Sequence, residues 1–256
     1  MKAAVVWAAL ALGAVGEVGA QELARRVAAA PEGQVVFWLA AGPEVCGDGE
    51  RMIGRRDATF TWSDDVGGTR DWRRRCLPGP LRVLLRMRGG AVTDLRAAAG
   101  PPVAVAGATD LGRVGAAEGV RFLLDLAAHA PRRVAEDAIL PAALADSATV
   151  WPSLLTIARA AGRPRGVREQ AAFWLGELAA DRVAADSAEE VPTPEEDERA
   201  QAVFALSQLD HGAGVPALLT VARTHRSPYL RRKAMFWLGQ SGDPRALALF
   251  EEVLRR

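Results

Sequence analysis

Three histidines, His129, His211 and His225, and two cysteines, Cys46 and Cys76, are the side chains of this chain best suited to proton transfer, nucleophilic attack or metal ligation. Acid–base and nucleophilic mechanisms need such groups to converge. The histidines instead fall at predicted helix ends or loops, where a solvated ring is the ordinary outcome. No phosphate-cradling Gly-Lys-Ser/Thr loop, no Gly-x-Ser-x-Gly elbow and no His-Glu-x-x-His helix occurs. The chain is therefore expected to be non-catalytic, with no cofactor and no metal site. Neither cysteine has a histidine or a third cysteine nearby to complete a metal centre, so a Cys46–Cys76 disulfide is the predicted chemistry. Closing that loop stabilises by about 3 to 4 kcal/mol on the chain-entropy model.

Two further groups bear on ligands. Trp62, Trp72 and the basic run Arg73-Arg74-Arg75 suit an anionic or carbohydrate ligand, although a disulfide-stapled core with solvated arginines accounts for them equally well. The acidic run Asp186 to Glu198 carries two prolines and is expected to be a solvated inter-helix loop; docking of a metal or a partner is the alternative. The glycine and alternating ligand positions of a calcium loop are missing from it.

The elements that must position any site are announced by repetition. Arg168-Glu-Gln-Ala-Ala-Phe-Trp-Leu175 returns as Arg199-Ala-Gln-Ala-Val-Phe-Ala-Leu206 and as Arg231-Arg-Lys-Ala-Met-Phe-Trp-Leu238, at spacings of 31 and 32 residues. A second segment, Trp151-Pro-Ser-Leu-Leu-Thr-Ile-Ala-Arg159, matches Val215-Pro-Ala-Leu-Leu-Thr-Val-Ala-Arg223 at an offset of 64 residues, twice that period. Such periodicity marks helical units that cannot bury their apolar faces alone and must stack. The first helix expected near Val183 is degenerate. Ala116 to Ala130 and Arg133 to Leu144 form an earlier, divergent helix pair, and Arg245 to Leu254 is expected to close the stack with an outer side kept polar by Glu251, Glu252, Arg255 and Arg256.

Residues 33 to 100 have a different period. Gln34 to Leu39 and Ala58 to Trp62 are predicted strands, and Leu81 to Met87 with Ala91 to Leu95 flank Gly89-Gly90 as a hairpin. The expected organisation is thus a signal peptide over 1–20, a short helix and linker over 21–32, a small β domain over 33–100, a linker over 101–115 and an α-solenoid over 116–256. The fold class is α+β.

At its start, Lys2 precedes an apolar run from Ala3 to Val15 and then Val18-Gly19-Ala20, the pattern of a secretory signal peptide cleaved after Ala20. Its core of roughly a dozen residues is short of the about 20 that span a bilayer, so an exported protein of the periplasm or medium, without a membrane span, is expected. The formal net charge of +1 gives no long-range pull on nucleic acid. Lysine occurs only at Lys2 and Lys233 and asparagine not at all, a bias typical of GC-rich bacteria, which also removes every N-glycosylation acceptor.

The Val/Leu-Arg-x-x-Ala-x-x-x-Leu-Gly second helix, carried by Val167-Arg168 with Leu175-Gly176 and by Leu230-Arg231 with Leu238-Gly239, resembles the HEAT-like repeat family of the type first recognised in phycobilisome lyases. The Pro-x-Leu-Leu-x-hydrophobic-Ala first helix fits the same resemblance. It covers Trp151 to Arg256 and extends more loosely to Ala116; the β domain has none. A binding scaffold that uses the inner surface of a superhelix is what it implies, with a protein or peptide partner. The aspartate often found ahead of the second helix is Ser227 in one unit and Glu195 in another. Chromophore-lyase activity, suggested by the family's historical name alone, would need a tetrapyrrole pocket that no segment supplies.

Sorting the octad on a helical wheel separates packing from surface. Val167, Ala171, Ala172, Trp174, Leu175 and Leu178 share one arc. Arg168, Arg199 and Arg231 project from that arc and form either a structural ladder across repeats or a ligand clamp, the ladder being preferred. Phe173, Phe204 and Phe236 lie opposite, beside Glu177, Gln208 and Gln240. An aromatic row edged by amides and a carboxylate suits peptide binding; packing against each unit's own first helix is the competing explanation. A ligand-binding role centred on the β domain is the alternative to the solenoid scaffold, and oligomeric state is left open.

Overall fold

The computed structural model describes residues 15–51, 53–55, 76–146, 148–185 and 192–256. Two compact units divide the chain: Met1–Thr93 with Ala98–Phe122 and Ala145–Ser147, and Asp94–Ala97 with Leu123–Leu144 and Ala148–Arg256. The fold class is the mixed one expected, sheets with a disulfide first and a run of helices after.

In the first unit, helix α1 (Val15–Ala28) begins earlier than the short helix expected within 21–32 and runs unbroken through Ala20-Gln21. Its Leu23 and Val27 are buried, and Arg26 donates to the carbonyl of Leu111. Strand β1 (Gly33–Leu39) is buried from Val35 onward, as its unbroken apolar run requires of a central strand. It pairs antiparallel with β5 (Leu81–Arg88), from Gly33 opposite Met87 to Leu39 opposite Leu81. On β5 the pleat sends Leu81, Val83, Leu85 and Met87 inward and exposes Arg86 and Arg88.

The predicted hairpin connects β5 to β6 (Ala91–Ala99). Gly89 (φ 59°) and Gly90 (φ 72°) adopt the positive φ of its turn, and the Glu32 carboxylate accepts from the Gly89 amide at 2.7 Å. Phe37 meets Phe122 edge-on at 6.0 Å.

The four-stranded sheet has the order β6-β5-β1-β7, and its last member corrects an expectation. The segment 101–115, expected as linker, contains β7 (Ala108–Arg113), which pairs parallel with β1. The pairing register slips between Val36 and Trp38, and Gly112 nearby has φ 74° with its amide bound to Asp110. A bulge of this kind breaks the two-residue alternation that sequence patterning depends on. A small second sheet, order β3-β2-β4, is built from β2 (Val45–Gly47), β3 (Gly54–Arg55) and β4 (Leu77–Pro78). The predicted disulfide staples it: Cys46 and Cys76 are joined and both are buried. The predicted strand Ala58–Trp62, with Trp62, Trp72 and Arg73–Arg75, lies outside the described residues.

Helix α2 (Ala116–His129) begins in the first unit, where Gly119 lies against Leu39 so closely that a Cβ would sit 2.2 Å from a Leu39 methyl. The second unit continues through α3 (Arg132–Leu144), α4 (Trp151–Arg159), α5 (Arg165–Ala185), α6 (Pro194–Ser207), α7 (Val215–Thr224), α8 (Pro228–Gln240) and α9 (Pro244–Arg255). The matched first helices α4 and α7 cover α5 and α8 respectively. Prolines in their opening turns cost nothing, because those amides have no intrahelical acceptor.

The first helix read as degenerate near Val183 is not a separate element among the described residues, because α5 continues to Ala185. Two other expectations for these helices are corrected. The acidic run is helical from Pro194: Thr193 and Glu196 form a reciprocal capping box, and Glu195, Glu196 and Asp197 occupy the first turn, where the helix dipole favours negative charge. The last helix does not simply close the stack. α9 packs on α5 and also against α4 and α8, with Phe250 wholly buried.

Spatial order also departs from chain order. α5 packs directly on α8, and α6 packs on the other octad helix, α8, giving the row α5–α8–α6. Glycine explains the preference. A Cβ at Gly176 would lie 3.0 Å from the Gly239 Cα, so the paired Leu-Gly motifs let α5 and α8 approach backbone to backbone. The middle octad ends in Leu206-Ser207 and has no such glycine.

Candidate functional site

The octad row places its three phenylalanines on one connected aromatic path. Phe173 of α5 meets Phe236 of α8 edge-on at 6.0 Å, Phe236 meets Trp237 at 4.9 Å, and Trp237 tilts onto Phe204 of α6 at 5.0 Å. Trp174 abuts Phe173 at 5.4 Å from the buried side. The path thus runs 173–236–204 and not in chain order. None of the three phenylalanines is buried: Phe173 and Phe236 are half-buried and Phe204 is 45% exposed.

Trp237, which sequence reasoning grouped with packing positions by its equivalence to Trp174, is the link between Phe236 and Phe204. The signal was available in the octads themselves, since the middle copy carries Ala205 at this position.

Amide and carboxylate neighbours of this path separate. Gln240 joins Phe173 in a cleft of about 560 Å³ between α3, α5 and α8, lined also by Glu136, Asp137, Gly166, Glu169, Gln170 and Gly239. Gln208 is at the end of α6 and donates to Ser207 at 3.0 Å. Glu177 is half-buried on α5 and does not line the cleft. Sequence reasoning missed Glu136 and Asp137, because they belong to the divergent helix α3, outside the repeat.

The octad arginines occupy equivalent positions on three helices, and no salt bridge links them to a neighbouring unit among the described residues. Arg168 and Arg231 are half-buried with Nε unpartnered, whereas Arg199 is exposed. The arginines near the ends of the first helices do reach another helix. Arg159, the last residue of α4, donates to Glu251 of α9 at 2.7 Å, and its equivalent Arg223, on α7, reaches Glu252 at 3.4 Å. The Arg159 hydrogen bond holds the Glu251 carboxyl below its ordinary pKa.

Between α6 and α8 the acidic first turn is used structurally. The Tyr229 hydroxyl donates to Asp197 at 3.0 Å, and burial with that bond raises the phenol's pKa. Hydrogen bonding to Ser227 and to the Thr193 amide lowers the Glu196 pKa.

All three histidines sit at helix ends or turns. His129 ends α2 beside Asp125, His225 caps α7 and accepts from the Ser227 amide, and His211 is in a short 3₁₀ turn with φ 54°. Among the described residues no three His, Cys, Asp or Glu side chains are grouped to hold a metal ion. Among the described residues no helix is long and apolar enough to cross a membrane.

Residues 187–256, which include α6 to α9, match the family model for HEAT repeats. This supports a HEAT-like repeat family for that segment, a class whose stacked helices generally serve as protein-interaction scaffolds. No curated protein and no solved structure matches the chain.

Proposed function

We propose that this chain is an exported, non-catalytic binding scaffold of the phycobilisome-lyase-type HEAT-like kind, engaging a protein or peptide partner through the surface of α5, α8 and α6. The observation that carries this reading is the aromatic path Phe173–Phe236–Trp237–Phe204, which opens to solvent at Phe204. Aromatic side chains offer large contact area at low conformational cost and dominate interface energetics. An internal packing role would bury the row, whereas here its outer end, Phe204, is covered by no helix among the described residues. The apolar leader with its Val-Gly-Ala end and the joined cysteines support export, since disulfides persist in oxidising compartments.

Affinity capture from the periplasmic fraction with the full mature chain tests it. Phe204→Glu, placed on an exposed side chain, should leave the melting curve intact and reduce recovery of the specific partner at least about tenfold, as expected of a hot-spot aromatic. Unchanged recovery would exclude the aromatic surface as the docking site.

A further inference from the structure

We infer that the strip where α8 meets α6 docks a partner segment in which a carboxylate stands beside apolar side chains. This rests on the scaffold reading and names the chemistry of its partner. Two side chains of α8 tie the strip to α6: the Tyr229 hydroxyl donates to Asp197 at 3.0 Å, and the Trp237 indole tilts onto Phe204 at 5.0 Å. Lys233 is midway between them in sequence, four residues from each, so Tyr229, Lys233 and Trp237 follow one line along the helix.

The cation on this line is free to meet a partner. Lys233 is exposed, and its ammonium lies 5.3 Å from the centre of the Tyr229 ring, a contact within its own helix. Arg232 beside it is exposed as well, and among the described residues neither pairs with a carboxylate. The nearby acids of α6 are used elsewhere: Asp197 accepts from Tyr229, and Glu196 is held by the Thr193 amide and by Ser227. Glu198 occupies the octad register of Val167 and Leu230, which are buried, and so belongs to the packing arc and not to the Phe204 side.

Position in the row makes this cation selective. The octads of α5 and α6 carry Gln170 and Gln201 where α8 carries Lys233, so the positive charge is confined to the central helix of the row α5–α8–α6. One turn further along, Trp237 and the 45% exposed Phe204 supply apolar contact area. An unpaired cation beside an open aromatic pair is the complement of an acidic, apolar segment: the rings provide the contact energy, and the charge fixes where the partner's carboxylate must lie. A basic segment would meet like charge at the same place and is disfavoured.

The test uses the full mature chain, in which Lys233 is the only lysine once Lys2 leaves with the leader. The probe is a fluorescent peptide blocked at both ends, Gly-Ser-Asp-Leu-Phe-Asp-Leu-Gly-Ser, beside the same peptide with asparagine for aspartate. Anisotropy titration should show the aspartate peptide binding about fivefold tighter, a margin that shrinks as salt rises. Lys233→Glu should invert that order and Lys233→Arg should keep it; both variants change an exposed side chain and retain the wild-type melting curve. A water-soluble carbodiimide, which joins an amine to a carboxylate only where the two are in contact, should couple the aspartate peptide to Lys233. Equal affinity for the two peptides, no binding of the aspartate peptide at millimolar concentration, an unchanged order in Lys233→Glu, or coupling at the chain's α-amine alone would each overturn the inference. Those results leave the scaffold reading standing if Phe204→Glu still reduces partner capture, so the two failures are distinguishable.

Discussion

Asp243 shows how a single carboxylate fixes where α9 begins. Its side chain accepts from the Arg245 amide at 2.8 Å and forms a two-oxygen pair with the Arg245 guanidinium, so one residue caps the helix and orders the side chain two positions on. The guanidinium hydrogen bonds hold its pKa below the ordinary range, against the opposing effect of partial burial. Asp243→Ala should cost about 1 kcal/mol, the usual loss for an N-cap, measured by urea unfolding near neutral pH. A carboxyl whose folded pKa is depressed contributes stability that is present above its unfolded pKa and disappears as pH falls through the folded value. The same sign applies to Glu251, lowered by Arg159. The melting-temperature gap between wild type and Asp243→Asn, which keeps a capping oxygen and loses the charge, should therefore be widest near pH 7 and close on acidification below the usual carboxylate range. A gap that stays constant down to pH 2 would mean that the ion pair contributes nothing.

At the scale of elements, helix identity and partnership are determined by different features, and only the first was legible in the sequence. The Pro-x-Leu-Leu segments, the repeated octad and apolar spacing located α4, α7, α8 and α9, and Gly89-Gly90 located the hairpin. The order α5–α8–α6 was not legible, because it depends on which backbones can touch, and this is decided by Gly176 and Gly239 against Ser207. Strand β7 was hidden by its bulge, and the aromatic path by the indole of Trp237, which reaches Phe204 while its octad equivalent Trp174 is buried. The glycine account makes a paired prediction. Gly176→Ala forces a methyl to within about 3.0 Å of the Gly239 backbone and should destabilise by about 1–3 kcal/mol, as overpacking does. Ser207→Ala, at the equivalent site of the helix that makes no such approach, should stay within about 0.5 kcal/mol of wild type in the same denaturant titration. Equal effects at the two positions would remove glycine as the reason for the order of the row. Phe250 packs 3.3 Å from where that Gly176 methyl would lie, and Phe250→Ala should cost about 3–5 kcal/mol, more than either, because it empties a fully buried aromatic site.

For the molecule as a whole, the two units are held together internally by different means, and this has a measurable thermal consequence. The helical unit relies on caps, glycine contacts and buried aromatics, and it contains no cysteine. The first unit has a short three-stranded sheet whose strands are two or three residues long, too little pairing to persist by itself. The Cys46–Cys76 bridge, spanning 30 residues of sequence, supplies what that sheet lacks. On the chain-entropy model a loop of this length stabilises by about 3–4 kcal/mol, a large share of the stability of a small domain. Scanning calorimetry of the full chain should resolve two transitions. Reductant, or the Cys46→Ser/Cys76→Ser double variant, should lower the transition of the first unit by the equivalent of about 3–4 kcal/mol and leave the helical transition in place. Partner capture through α5, α8 and α6 would then survive reduction at temperatures where the first unit has already melted, and its loss together with the first transition would show that the binding surface depends on the sheet.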